Sequence, residues 1–293
     1  MADILCNVLI AYLTVMAVFN GVTMFAAFLL ARWRFADNSF RTDAVAAYPA
    51  GAFTAFWKEF LLTAWLYLTW PLGLSRYGVP SNRGRTDVLP PVLFVHGWTE
   101  NRRYWTWLLR RLRDRPERKL YTINLHPIDA AIDHYREQLA RRIDEILAET
   151  RHGRLTLVAH SLGGLVARAY MKEHGREKIE RLVTFGAPHY GTVLAYGALG
   201  RVPRQVEPNS PFLTALAQGE DLSGVDLHTV ATVHDNIVVP FTHAWLPGST
   251  QHLLWGMGHT TAYWSGGALR ILQTVLYPTD GGTTPAAPTA PEA

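Results

Sequence analysis

Between residues 88 and 277, short apolar runs alternate with longer stretches whose apolar positions recur at helical spacing. The runs at 92–95, 120–125, 155–159, 182–185, 229–233 and 251–255 read as strands. The stretches 104–114, 130–149, 162–174, 212–217 and 260–276 predict helices. Strand followed by helix, repeated, predicts an α/β domain over 87–278, with a mostly parallel sheet and helices on both faces.

The chain ahead of that domain follows a different pattern. No charged side chain occurs from residue 4 to residue 31. Since roughly 20 apolar residues span a bilayer as a helix, 1–31 is expected to form a transmembrane anchor. Asp3 is acidic and the apolar run is long for a signal peptide, which favours an uncleaved anchor. A second apolar segment, 60–74, carries Trp65, Tyr67 and Trp70 and lies within a membrane-proximal stretch, 32–86. It is short for a span and suits an interfacial or re-entrant helix, unless Lys58 snorkels and lets it cross. Arg32, Arg34 and Arg41 place residue 32 on the cytoplasmic side. Whether 60–74 crosses then decides which side the domain faces. The Pro-, Ala- and Thr-rich tail, 279–293, is expected to be disordered.

The candidate chemistry starts at Ala159-His160-Ser161-Leu162-Gly163-Gly164, between a predicted strand and a predicted helix. A small residue, any residue, Ser, any residue and Gly at such a junction form a nucleophile elbow. The tight turn exposes the Ser161 hydroxyl at the sheet edge, beside the N–H groups of a helix N-terminus. Ala159 replaces the first Gly of the strict pattern. A serine hydroxyl is a weak nucleophile and needs a general base, held in its tautomer by a carboxylate. On a sheet with such an elbow the chain order is nucleophile, acid, base.

Asp235 is the candidate acid, because it lies just past the strand at 229–233. Glu207, Asp221 and Asp226 precede that strand. His259 is the candidate base: it follows the last strand and opens the last helix, unlike His234, His243 and His252. An early strand ends in Val95-His96-Gly97-Trp98, where the turn at Gly97 would aim the Trp98 N–H at a substrate oxygen. With the Leu162 N–H it would form an oxyanion hole. His96 and His160 are expected to pack behind the site and orient its loops. Neither a metal nor an organic cofactor is required.

These pieces resemble the α/β-hydrolase family, and within it the small bacterial lipases and esterases. The likeness covers about residues 88–277 and rests on five motifs. They are Val95-His96-Gly97-Trp98, Ala159-His160-Ser161-Leu162-Gly163-Gly164, Thr184-Phe185-Gly186-Ala187-Pro188-His189-Tyr190-Gly191-Thr192, Asp235-Asn236-Ile237-Val238-Val239-Pro240 and Gly258-His259. Ala at the first elbow position also occurs in one group of such lipases. The resemblance implies an α/β-hydrolase fold and a Ser161, Asp235, His259 triad acting on esters through an acyl-enzyme. Acyl transfer or thioester cleavage would use the same triad, and a non-catalytic membrane adaptor would keep only the fold. Dehalogenase and epoxide-hydrolase chemistry would need Asp at position 161. Residues 193–222 sit where such lipases often carry a lid. There Leu194, Tyr196, Leu199, Val202, Phe212, Leu213 and Leu216 either line an acyl site or pack as ordinary helices, with Leu194, Tyr196 and Phe212 the candidate substrate contacts.

Composition adds a setting. The 293 residues are 48% hydrophobic and 18% charged, enough for one sizeable domain or two small ones. The single cysteine, Cys6, excludes an intrachain disulfide. Much of the net charge of +4 comes from Arg102, Arg103, Arg110, Arg111, Arg113, Arg115 and Arg118, interleaved with Trp105, Trp107, Leu108, Leu109 and Leu112. We read these first as the solvated face of an amphipathic helix. The alternative is a basic face on anionic lipid, where each cation adds about 1 kcal/mol. No recognition motif accompanies them, so nucleic acid is not an expected partner. The expectation is a membrane-anchored serine ester hydrolase, in a bacterium at the inner membrane, acting on a lipid or other ester.

Overall fold

The computed structural model describes residues 2–34, 42–74, 82 and 84–277, with side chains in the first two stretches given for 10–26, 29 and 51–74. The tail expected at 279–293 lies outside the described residues, as do 35–41. Strands β1 (Val92–Val95), β2 (Leu120–Thr122), β3 (Leu155–His160), β4 (Ile179–Phe185), β5 (Asp226–Thr232) and β6 (Thr250–Leu254) form one sheet in the order β2-β1-β3-β4-β5-β6. Every pairing is parallel.

Alternation along the central strands β1 and β3 sends their side chains to two separate cores, while Ala231 of β5 and Leu253 of β6 join a smaller third one. Leu93, Val95, Leu155, Leu157 and Ala159 face a core shared with helices α4 (Ile132–Thr150) and α5 (Leu162–His174). In α4 the buried residues Ile132, Tyr135, Leu139, Ile143 and Ile146 form one stripe at helical spacing. Val92, Phe94, Val158, Val183 and Val230 face the other core, with α3 (Thr106–Arg111) and α8 (Gly266–Leu276). Each fully buried Leu, Val or Phe contributes roughly 1.5–3 kcal/mol relative to exposure.

Several elements are shorter than their apolar patterns suggest, each for a local reason. The strand expected over 120–125 pairs only to Thr122, because the chain then turns and Leu125 N donates to His96 Nε2 at 3.0 Å. The helix expected over 104–114 divides into a 3₁₀ turn, Arg102–Trp105, and α3. The Asn101 side chain caps that turn by accepting from Arg103 N at 3.0 Å. The helix expected from 260 starts only at Gly266, where the Ser265 hydroxyl accepts from Ala268 N at 3.0 Å. Helices α6 (Arg201–Gln205) and α7 (Pro211–Ala217) follow β4.

The N-terminal segments form a helical pair, α1 (Ala2–Arg34) and α2 (Thr42–Leu68). Among the described residues no helix is long and apolar enough to cross a membrane, so the transmembrane reading of 1–31 finds no support there. Polar groups of α1 face α2 instead. Tyr12 donates to Ala64 O at 2.8 Å, and buried Asn20 donates to Thr63 Oγ1 at 3.2 Å. The segment expected as a helix over 60–74 is the end of the longer α2, followed by a 3₁₀ turn, Trp70–Gly73, at Pro71. It is tied to the sheet's loops. Trp70 Nε1 donates to Thr99 O at 2.8 Å, Asn124 Nδ2 to Gly73 O at 3.0 Å, and Leu66 is fully buried in the second core.

Of the arginine cluster, Arg110, Arg111, Arg113 and Arg115 are exposed, as expected of a solvated face, while Arg102, Arg103 and Arg118 are drawn into the fold. Arg118 is buried and donates to Pro90 O at 2.8 Å, and Arg102 Nε donates to Gly73 O at 3.0 Å. Arg103 stacks over Trp65 at 5.1 Å and Arg111 over Trp107 at 5.4 Å.

Candidate active site

The C-terminal ends of β1, β3, β5 and β6 lead into Gly97, Ser161, Asp235 and His259, all on one edge of the sheet. Ser161 lies between β3 and α5 with φ 52° and ψ −123°. For a residue with a Cβ this backbone costs about 1–3 kcal/mol and persists only where its surroundings enforce it. Here Ser161 N donates to Phe185 O at 2.9 Å, and Ser161 O accepts from Gly164 N at 3.0 Å. The following helix start presses on β1. A Cβ at Gly163 would lie 2.7 Å from Val95 O and 2.8 Å from His96 O, so that position admits only glycine without a shift.

Asp235 and His259 are paired. His259 Nδ1 lies 3.0 Å from both Asp235 oxygens, and both residues are buried. Asp235 Oδ1 also accepts from Ile237 N at 2.9 Å and Val238 N at 2.7 Å, which fixes the carboxylate on its loop. Burial pulls the His259 pKa down, but the charge and hydrogen bond of Asp235, helped by Glu59 and Glu100, outweigh it and leave the pKa above its usual 6.5.

A second carboxylate, Glu100, lies behind the imidazole. It accepts from Gly97 N at 2.7 Å and from Tyr263 OH at 3.2 Å, and its Oε2 is 2.9 Å from His160 Nδ1. His160 Nε2 is 3.3 Å from His259 O, and the two rings are 4.6 Å apart. Burial alone would push the Glu100 carboxyl up; His160 and the Gly97 N–H hold it below its usual value. His96 Nε2 accepts from Leu125 N and its Nδ1 lies 2.8 Å from Gly97 O, while burial pushes its pKa down to about 4. Both histidines thus pack behind the site and orient its loops.

Ser161 and His259 open onto one cavity of about 420 Å³, within the usual range for a small-molecule site. No hydrogen bond joins Ser161 Oγ to His259 among the described residues. Such contacts are often long before substrate binds. Trp98 lines the cavity, and with Leu162 it borders a small recess beside Gly97. Leu162 opens α5, where N–H groups have no intrahelical acceptor.

The stretch 90–236 matches the family model for the alpha/beta hydrolase fold. The chain belongs to the α/β-hydrolase family. The matched stretch contains Ser161 and Asp235 and excludes α1, α2 and His259. Among solved structures, the mature form of a lipase from Bacillus licheniformis superposes with a TM-score of 0.59 at 19% identity, over 68% of this chain and 96% of that one. A lipase B from Aspergillus fumigatus gives 0.55 at 19%, over 65% and 52%. A gene product from Listeria innocua gives 0.52 at 13%, over 65% and 94%. At these identities the likeness establishes the fold. No curated protein matches the chain in sequence.

This hydrolase places the expected substrate contacts unequally. Leu194 lines the cavity, together with Ala195, Pro203 and Val206. Tyr196 does not: it is exposed, and its hydroxyl donates to Pro208 O at 3.3 Å. Phe212 packs on the first core, as do Val202, Leu213 and Leu216, because α7 lies against α5 and α6 against α7. Leu199 is exposed. The opposite wall comes from Met16 and Phe19 of α1 and Thr63 and Tyr67 of α2, which lie in the two apolar segments assigned to the membrane and not to the site. Glu59 and Glu100 were also missed. Their only signal is an acid inside or beside an apolar run, where burial demands a partner. Among the described residues no cluster of three His, Cys, Asp or Glu side chains could hold a metal ion.

Proposed function

We propose that this α/β hydrolase is a serine carboxylester hydrolase of the lipase or esterase type, acting on a lipidic ester. One observation carries the reading: His259 is bound through Nδ1 to both oxygens of Asp235 and shares a cavity with Ser161 at a strained elbow. In the first half-reaction Ser161 Oγ bonds to the ester carbonyl carbon and its proton passes to His259 Nε2. The carbonyl electron pair moves to oxygen, facing the Trp98 and Leu162 N–H groups. As the tetrahedral centre collapses, the bond to the alcohol oxygen breaks and that oxygen takes the proton from His259. Water then repeats the sequence on the acyl-enzyme, with His259 as base, releasing the carboxylic acid and Ser161. Asp235 holds Nδ1–H and stabilises the imidazolium.

A fluorophosphonate is expected to form a stable adduct on the peptide carrying Ser161, located by mass spectrometry, and activity is expected to rise with acyl chain length. An unlabelled folded protein would remove the serine mechanism. Hydrolysis confined to short, soluble esters would remove the lipidic substrate.

The membrane setting belongs to the same proposal. Ile10, Val15, Val18, Val22 and Phe25 on α1 and Phe53, Trp57 and Leu61 on α2 are exposed, an apolar patch of the kind that marks a lipid or protein contact. The full chain is expected to float with phospholipid vesicles in a density gradient and to stay bound at high salt. Recovery in the vesicle-free fraction would contradict this.

A further inference from the structure

Glu59 is 1% exposed, a carboxylate on α2 that follows Lys58 and precedes Phe60, Leu61 and Leu62. A buried charge persists where hydrogen bonds replace its water. Its partners are the amides that follow His259. Thr260 N donates to Oε1 and Thr261 N to Oε2, each at 2.8 Å. The approach leaves no room for a side chain between them: a Cβ at Gly258 would lie 2.7 Å from Glu59 Oε2.

A second tie comes from α1. His259 N donates to Asn236 Oδ1 at 3.0 Å. Asn236 Nδ2 donates in turn to Thr23 Oγ1 at 3.1 Å and lies 3.5 Å from Asn20 Oδ1. Thr63 joins the two helices, accepting from Asn20 and donating to Glu59 O at 2.6 Å. The backbone of His259 is therefore gripped on one side through Glu59 and on the other through Asn20, Thr23 and Asn236.

We infer that the α1–α2 pair is a working part of the active site, with Glu59 as the positioning residue that sets the His259 loop against Ser161. The inference rests on His259 acting as the base. Its charge environment supports a role beyond packing. The groups facing the imidazole are Asp235 from the β5 loop, Glu100 from the β1 loop, His160 from the end of β3 with Tyr263 against it, and Glu59 from α2. Glu59 is among those whose negative charge favours the protonated ring.

The test compares the full chain with Glu59→Gln, Glu59→Asp and Asn20→Ala, using a soluble ester, the pH profile of kcat/KM and the melting temperature. Gln offers one acceptor where two amides need one each, and loses the charge. Its kcat is expected to fall about ten- to a hundredfold, the scale of a small misplacement of a reacting group, with KM little changed. The acid limb of kcat/KM is expected to move to lower pH. Glu59→Asp keeps the charge but withdraws it by one methylene, so it should lose kcat and keep the limb. Asn20→Ala should lose kcat by a smaller factor. A folded Glu59→Gln with wild-type kcat and pH limb would overturn the inference. If Gln does not fold, wild-type kcat in folded Glu59→Asp would overturn it equally. Failure of the ester hydrolase reading is distinguishable, because the wild type itself would then neither turn over ester nor take up fluorophosphonate.

Discussion

Ser161→Ala is expected to lower kcat/KM for ester hydrolysis by about four orders of magnitude or more, the scale seen when a serine nucleophile is removed. The only atom lost is Oγ, which makes no hydrogen bond among the described residues that the fold would miss. The backbone bonds from Ser161 N to Phe185 O and from Gly164 N to Ser161 O do not involve the side chain. Alanine also carries a Cβ, so it meets the same strain at φ 52° as serine does. Folding and ground-state binding should therefore survive, since the cavity walls from α1, α2 and residues 194–206 are untouched. A melting temperature near wild type with residual activity of about 0.01% or less is the expected result. Retention of more than about a tenth of the activity in the purified variant would assign the nucleophile elsewhere.

The sheet and this part of the site were legible because their causes are local. A strand buried on both faces leaves a run of apolar residues: β1 coincides with its run, β3 extends one residue past it and β4 starts three residues before it. An elbow needs small residues beside Ser161, and Gly163 sits where Val95 O and His96 O exclude a Cβ. Asp235 and His259 follow strands whose ends must share one edge in a parallel sheet. What could not be read depends on partners far away in the chain. Glu59 meets Thr260 across 201 positions, and no local pattern encodes which loop a buried acid will cap. Apolar character alone does not decide the role of 1–31, because a long apolar run serves equally to cross a bilayer or to pack on a second helix. The polar positions Tyr12, Asn20 and Thr23 reveal which surface faces protein. Tyr196 failed as a cavity contact because it lies on a 3₁₀ turn, Val193–Gly197, that leaves its ring exposed, and Phe212 because the short α7 is turned by the core beneath it.

Asp235→Asn carries the second large effect, an expected loss of about 10⁴ in kcat, and geometry says why so small a change should matter. Oδ1 of Asp235 already accepts from two amides, Ile237 N and Val238 N, which an amide oxygen can continue to serve. The asparagine oxygen is therefore held toward the loop, and its NH₂ group is turned toward His259 Nδ1. A donor at that position requires Nδ1 to accept, which moves the imidazole proton to Nε2. Nε2 is the atom that must take the proton from Ser161, so the neutral ring is present in the wrong tautomer. The pH profile separates this from a loss of charge alone. In the wild type His259 must be neutral to act, its pKa lies above 6.5, and kcat/KM should rise as pH passes through that raised value. Removing the Asp235 charge lowers the pKa, so the acid limb of the variant should appear at lower pH. If charge were the whole contribution, the variant would gain on the wild type in acid and match it in base. A tautomer fault instead leaves the plateau depressed by about 10⁴ at every pH above the limb. A variant within about tenfold of wild type on that plateau would show that Asp235 merely packs against His259.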